Sequence, residues 1–208
     1  MAIRVAIVED IKKIREGLAS LIDGSDGFQC TETYESAEEA LRGIPSYHPD
    51  VVLMDIQLPR MSGIECVEKL KELTPDLEIM MLTSFEDSDK VFKSIVAGAS
   101  GYILKSTPPA ELLEAIRDLH DGGSPMSDQI ARKVVQAFRQ MGSSSKETEN
   151  LSDRETEILS YLAKGYQDKE IADTLFLSIK TIRTHLRNIY KKLHVRSRME
   201  AVLMYLKK

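Results

Sequence analysis

The sequence predicts an α/β domain built on a five-stranded parallel sheet, followed by an all-α domain of four helices. Three observations carry this. Over the first 120 residues, short apolar runs alternate with amphipathic stretches. At Gly142-Ser143-Ser144-Ser145 the periodic pattern stops. The charge balance then changes sign: residues 1–140 hold 15 Lys+Arg against 24 Asp+Glu, for −9, whereas residues 141–208 hold 13 against 9, for +4.

Each element has its own warrant. Residues 5–8, 51–54, 79–82 and 102–104 are continuous apolar runs, the pattern of strands buried on both faces. Residues 29–34 are a weaker strand candidate, interrupted by polar residues. Amphipathic stretches at 11–22, 37–44, 64–73, 90–97 and 110–119 separate them as helices. Such alternation implies parallel pairing with helices on both faces. After Gly122-Gly123 the pattern is helical throughout. Residues 128–141 read as a helix through Ile130, Val134, Val135 and Phe138. Residues 142–150 read as a flexible linker spanning about 16 Å by random-coil scaling. The expected division is 1–122, a connecting helix and linker at 123–150, and 151–208. In the last part, Ser152-Asp153-Arg154-Glu155 is a capping box opening a helix that Gly165 ends. Residues 168–175, a third helix capped by Ser178 and running to about 193, and 198–206 complete the four.

Open parallel sheets bind ligands beyond the carboxyl ends of their strands, so the residues that end each run matter most. The first run ends in Glu9-Asp10, the third in Asp55, the fourth in Thr83-Ser84 and the fifth in Lys105. Three carboxylates, a hydroxyl and a lysine should meet at one edge. Clustered carboxylates repel one another, and a hard divalent cation relieves that repulsion, so Glu9, Asp10 and Asp55 are candidate Mg²⁺ ligands. A carboxylate can also act as the nucleophile in phosphoryl transfer, giving an aspartyl-phosphate. The cation and Lys105 would neutralise the transferring oxygens, and Thr83 could hydrogen-bond one of them. Taken singly, each residue has a plainer reading as a turn residue, a helix cap or a surface lysine. Their conjunction at one edge favours the chemistry.

The segment Val51-Val52-Leu53-Met54-Asp55-Ile56-Gln57-Leu58-Pro59, with Met61-Ser62-Gly63, resembles the phosphoacceptor segment of response-regulator receivers. Leu82-Thr83-Ser84 and Gly101-Tyr102-Ile103-Leu104-Lys105 resemble its two other signatures. The resemblance covers about residues 3–120. It implies a flavodoxin-like sheet of order 2-1-3-4-5, Asp55 as phosphoacceptor, and the backbone carbonyl of Gln57 as a further Mg²⁺ ligand. It also implies Thr83 and Tyr102 as a switch pair, the hydroxyl moving towards phosphate and the ring following inwards. Two positions depart from the common pattern: Glu9 stands where many receivers have Asp, and Ser106 follows the lysine where many have Pro.

Residues 178–208 hold 9 basic residues and one acid, Glu200. An acidic part joined to a basic one suggests control joined to nucleic-acid binding, although charge alone is equally a solvated helix face. On the third helix, Ile182, Leu186, Ile189 and Leu193 make a buried stripe, while Lys180, Arg183, Thr184, Arg187 and Lys191 lie on another face. Arg183, Thr184 and Arg187 are the candidate base readers, since a helix fits the major groove and arginine pairs with guanine there. Lys180, Thr181 and Lys191 flank them and suit backbone phosphates.

Residues 151–155 with Ile158-Leu159, Lys169-Glu170-Ile171-Ala172, residues 178–185 and residues 196–201 resemble the NarL/FixJ (LuxR-type) effector domain. This implies a helix-turn-helix formed by its second and third helices and dimerisation through the fourth. Ala201, Val202 and Tyr205 are the candidate contacts, with packing against the domain's own core as the alternative. Gln167 stands where Ser or Thr commonly caps, so a weaker cap is expected.

The expected function is a two-component response regulator: a DNA-binding transcription regulator activated when a sensor histidine kinase phosphorylates Asp55. Its partners would be that kinase, promoter duplex DNA and a second copy of the chain. It would not be an enzyme beyond catalysing its own phosphorylation and dephosphorylation. Two other readings are a phosphoryl-transfer or interaction module with vestigial DNA binding, and a DNA-binding protein whose receiver is never phosphorylated. The basic helix argues against the first, and the intact acidic set against the second. No apolar run approaches the roughly 18 residues of a membrane span, and the first run is charged too soon for a signal peptide, so a cytoplasmic location is expected. Cys30 and Cys66 match no metal-binding spacing and read as small apolar residues. His185 and His194 lack spaced co-ligands, and His48 and His120 read as solvent-facing.

Overall fold

Strands β1 (Ile3–Val8), β2 (Phe28–Tyr34), β3 (Val51–Asp55), β4 (Glu78–Thr83) and β5 (Gly101–Leu104) form one parallel sheet in the order β2-β1-β3-β4-β5. This is the order implied by the receiver resemblance. The structure, a computed structural model, describes residues 2–84, 88–126, 130–132 and 151–206. Most of the expected connecting helix and the whole of the expected linker lie outside the described residues. Residues 130–132 are helical, and Ile130 is buried in the first domain's core.

Helices α1 (Lys12–Asp23) and α5 (Pro109–His120) cover one face of the sheet, and α2 (Ala37–Tyr47), α3 (Gly63–Leu73) and α4 (Ser88–Ala97) cover the other. Strand β3 shows why its run is continuously apolar. Val51 and Leu53 join the core under α1 and α5, while Val52 and Met54 join the core under α2 to α4. Both sides of the strand are dry, so no polar position is tolerated until Asp55. Burial also accounts for the cysteines: Cys66 is fully buried and its thiol is pushed up to about 12, while half-buried Cys30 rises to about 11.

The register brings the strand ends together. Val8 lies opposite Met54, Asp55 opposite Leu82, and Thr83 opposite Leu104. Glu9, Asp55, Thr83 and Lys105 therefore emerge side by side. Two hydrogen bonds extend the ladder past the strands, Ile56 N–H to Leu82 O at 3.3 Å and Lys105 N–H to Thr83 O at 2.7 Å. All described peptide bonds are trans, Lys105–Ser106 included.

The second domain comprises α6 (Asp153–Ala163), α7 (Asp168–Leu175), α8 (Ile179–Lys192) and α9 (Arg198–Leu206). Their core gathers Ile158, Leu159, Leu162, Ile171, Ile182, Leu186, Ile189 and Leu193. The expected stripe of α8 is thus its buried face. Ser152 caps α6, and Glu155 reaches back to the Ser152 N–H at 2.7 Å. Lys192 at the end of α8 then meets the same Glu155 carboxylate at 2.6 Å, so one residue caps a helix and anchors another. Lys192 and the two Ser152 contacts together hold the Glu155 carboxyl below its ordinary range despite its burial.

The boundary furthest from the sequence reading is the end of α2. Helix α2 continues through Pro45 to Tyr47 and ends on His48 in the left-handed region, φ 47°. Proline removes one ladder hydrogen bond, but late in a helix the loss is small enough for the last turn to persist.

Candidate functional site

The acidic edge is the first of two candidate regions. Glu9 is wholly buried and Asp55 nearly so, while Asp10 is exposed. One carboxylate oxygen from each lies within 4.8 Å of the others. Lys105 Nζ stands 2.6 Å from Glu9 Oε2 and 3.0 Å from Asp55 Oδ2. Burial pushes the Glu9 carboxyl above its ordinary range, and the neighbouring Asp55 charge adds to this against the pull of Lys105. Burial works the other way on the Lys105 ammonium, but its two carboxylate partners outweigh it and hold its pKa above the usual lysine value. Three carboxylates thus face a single ammonium, leaving an excess of negative charge and hard oxygen donors. This donor set suits Mg²⁺.

Asp10 and Gln57 line an open cleft of about 480 Å³ beside this cluster, together with Ile56, Leu58, Pro59, Ser62, Ile64 and Lys90. Gln57 is exposed at its rim. Thr83 ends β4 and is almost fully buried next to the cluster. Tyr102, expected to follow inwards on phosphorylation, already sits inside the core at 1% exposure. Its N–H donates to Pro125 O at 2.9 Å, which fastens β5 to the segment that leaves the domain.

The sequence reading quoted Gly63 only as part of a motif. The structure supplies its reason. Gly63 N–H donates to Ile56 O at 3.0 Å, and a Cβ on Gly63 would lie 1.8 Å from the Asp55 carbonyl oxygen. Only glycine lets α3 start that close to the Asp55 backbone. Ser62 then caps α3, with Glu65 closing the box.

The basic face of α8 is the second region. Lys180, Arg183, Thr184, Arg187 and Lys191 are all exposed, and Thr181 is half-buried. Thr181 is partly committed to the helix start: its N–H donates to Ser178 Oγ at 3.0 Å, and its hydroxyl lies 2.8 Å from the same oxygen. Both candidate base-reading arginines reach the first domain. Arg187 forks onto Asp76, which follows α3, with Nε at 3.0 Å from Oδ1 and an Nη contact to Oδ2. Asp76 holds the Arg187 guanidinium pKa above its usual value. Arg183 donates to His120 O at 3.0 Å and lies 3.5 Å from Asp168 Oδ2.

Around them runs a continuous interface. Arg196 pairs with Glu68 and Glu72 of α3. The Gln167 carboxamide donates to Asp118 of α5, while Glu170 reaches back to the Gln167 N–H at 2.8 Å to close the start of α7. Asp168 is buried against Gly122, where φ is +90° and a Cβ would lie 2.3 Å from the Asp168 carboxyl carbon. Burial raises the Asp168 pKa, while Arg198 at 2.9 Å opposes the rise. Leu203 and Met199 of α9 pack into the first domain's core cluster. Asp76, Asp118, Asp168 and Gly122 escaped the sequence reading because no periodicity reports which surfaces of two domains meet.

The expected dimer contacts need one correction. Ala201 is fully buried in the second domain's own core, so it offers no surface to a partner. Val202 and Tyr205 pack against that core but remain partly exposed.

Known protein families match both domains. Residues 5–117 match the response regulator receiver domain, and residues 149–205 match the bacterial regulatory proteins of the luxR family. The transcriptional regulatory protein LiaR of Bacillus subtilis is 37% identical over 201 residues, covering 97% of this chain and 95% of LiaR. The response regulator protein VraR of Staphylococcus epidermidis is 32% identical over 98% of this chain and 96% of its own length. Among solved structures, the response regulator ChrA of a heme-sensing two-component system is 29% identical, with a TM-score of 0.55 over 99% of this chain and 97% of that one.

Proposed function

This chain belongs to the two-component response regulators that join a receiver to a LuxR-type DNA-binding domain, and from that premise we propose that Asp55 is its phosphoacceptor. The observation that carries the proposal is the Lys105 ammonium held between Glu9 and Asp55 at the sheet edge. The donor is a sensor histidine kinase. An Asp55 carboxylate oxygen attacks the phosphorus, the bond to the donor breaks, and an aspartyl-phosphate remains. Lys105 is placed to move from the Asp55 carboxylate to a phosphoryl oxygen, and Thr83 to donate to another. Glu9, Asp10, Asp55 and the Gln57 carbonyl would hold Mg²⁺, which when bound supplies charge neutralisation for those oxygens. Self-catalysed phosphorylation and dephosphorylation are the only turnover in this reading.

The output is DNA binding. In our proposal the receiver comprises 1–122 and the effector 151–208. Arg183, Thr184 and Arg187 read bases in a promoter duplex, and Lys180, Thr181 and Lys191 grip its phosphates. Neither arginine can do so while Asp76 and His120 O hold it, so phosphorylation must shift the population towards an arrangement in which the domains separate. The freed effector then dimerises through α9, with Val202 and Tyr205 at the contact. The described residues contain no helix long and apolar enough to cross a membrane, and we place the protein in the cytoplasm.

Intact mass measured after incubation with acetyl phosphate and Mg²⁺ tests the acceptor. One added phosphoryl group is expected, and Asp55→Asn or a chelator should abolish it. Undiminished phosphorylation of Asp55→Asn overturns the assignment.

A further inference from the structure

We infer that Arg15 is a positioning residue for the metal-binding loop, clamping the backbone of Glu9 and Asp10 so that their carboxylates converge. The inference rests on the reading of the acidic edge as a Mg²⁺ site. Arg15 lies in the first turn of α1 with its side chain only 13% exposed. Its Nη1 donates to Glu9 O at 2.6 Å and to Asp10 O at 3.1 Å. Its Nη2 lies 3.5 Å from Glu35 Oε2, just past the end of β2. One guanidinium thus ties the loop after β1 both to the helix that follows it and to the neighbouring strand.

The loop needs such a tie. Glu9 still belongs to the sheet through its N–H, which donates to Tyr34 O at 3.0 Å, but the chain leaves the ladder there. Helix α1 begins on Ile11, an N-cap with no side-chain hydrogen bond, and carries no acidic residue in its first turn. A substitute cap comes from Glu9 itself: the Ile11 N–H donates to Glu9 Oε1 at 3.2 Å. That tether competes with metal binding, since a cation would draw on the same carboxylate. The Arg15 bonds do not compete, because they end on carbonyl oxygens. Arg15 is therefore the tether that persists when Glu9 and Asp10 turn to a cation.

The geometry also explains the choice of arginine. Two carbonyls and a carboxylate in different directions require a planar fork, which the lysine ammonium does not offer. Electrostatics alone makes the opposite forecast. Arg15 is a permanent cation bound to the loop that carries Glu9 and Asp10, so removing it should strengthen the attraction for Mg²⁺. Positioning says that removing it weakens binding, and the sign separates the two.

The test is a Mg²⁺ titration of the full, unphosphorylated chain, followed by calorimetry or by amide chemical shifts, for wild type, Arg15→Ala, Arg15→Lys and Glu35→Gln. Thermal unfolding in chelator establishes that each variant is folded. Arg15→Ala is expected to weaken Mg²⁺ binding by about ten-fold, the lower end of what losing a residue behind a metal ligand costs. Arg15→Lys should recover only part of this, and Glu35→Gln should change it little. A folded Arg15→Ala that binds Mg²⁺ as well as wild type, or better, overturns the inference. If Arg15→Ala does not fold, Arg15→Lys decides alone, and wild-type affinity in that variant overturns the inference. A wild type that takes up no Mg²⁺ overturns instead the metal reading on which it rests.

Discussion

The acidic edge of the receiver and the basic face of α8 are both concentrations of like charge, but their charges are satisfied from different places. Glu9 after β1 and Asp55 at the end of β3 meet Lys105 from the end of β5 in the same sheet, across the end of β4 that the register aligns between them. Arg187 meets Asp76 of the other domain, and Arg183 reaches His120 O there as well as Asp168 of its own domain. The first arrangement forms whenever the receiver folds. The second holds only while the domains touch. A site built by one core is preorganised, whereas a site satisfied across an interface is conditional, and a ligand that outbids the interface can take it. DNA phosphates and base edges are competitors of that kind for arginine.

The largest break in the comparison should come from Gly63→Ala. The added Cβ would meet backbone at 1.8 Å, which no rotamer relieves. We expect destabilisation of the receiver by about 3 kcal/mol or more, the upper end for overpacking. Denaturant unfolding followed by circular dichroism measures it. The melting of α6 to α8 should change little, since their core is separate from the receiver's, whereas α9 should respond because Leu203 packs into the receiver core. Loss of both domains together would show that the receiver and effector are a single cooperative unit.

Arg187→Ala should come next, and its effect should depend on phosphorylation. In the phosphorylated protein it should lose about 1–3 kcal/mol on a preferred duplex and flatten sequence preference. In the unphosphorylated protein the loss should be smaller, because the substitution also removes the tie to Asp76. Equal weakening on specific and scrambled duplexes would make Arg187 a phosphate contact, leaving discrimination to Arg183, Thr184 and DNA shape.

Asp76→Ala probes the same pair from the other side. It should raise the DNA affinity of the unphosphorylated protein by at most about five-fold, since exposed ion pairs stabilise by about 1 kcal/mol or less. The phosphorylated protein should not respond. Smallest of all, Lys191→Ala should weaken all duplexes alike and lower the salt slope of binding by about one unit, as a lost phosphate contact does. A salt titration on both duplexes reads that slope.

The contrast between local and conditional sites also sets how much could be read from the sequence. Glu9, Asp55, Thr83 and Lys105 were legible because parallel strands fix which residues end together. The buried stripe of α8 was legible because its period is helical. The partners of Arg183 and Arg187 were not, because docking of two surfaces leaves no periodic mark. Ala201 was misjudged for a related reason: α9 has apolar residues on more than one side, with Ala201 in its own core and Leu203 in the receiver's. The role of Gly63 lay in a backbone approach that residue type alone does not show. Helix α2 runs past the apolar stretch ending at residue 44, because Pro45 disturbs only the turn before it and the last turn carries no apolar period that would mark it.

The central claim is that the DNA-reading face of α8 is held by the receiver until Asp55 is phosphorylated. Its most direct measurement is the affinity of the full chain for a duplex selected from a random pool, with and without acetyl phosphate and Mg²⁺, for wild type and Asp55→Asn. The account predicts that phosphorylation tightens binding of wild type and leaves Asp55→Asn unchanged at the weaker level. Wild-type affinity that does not move on complete phosphorylation would contradict it.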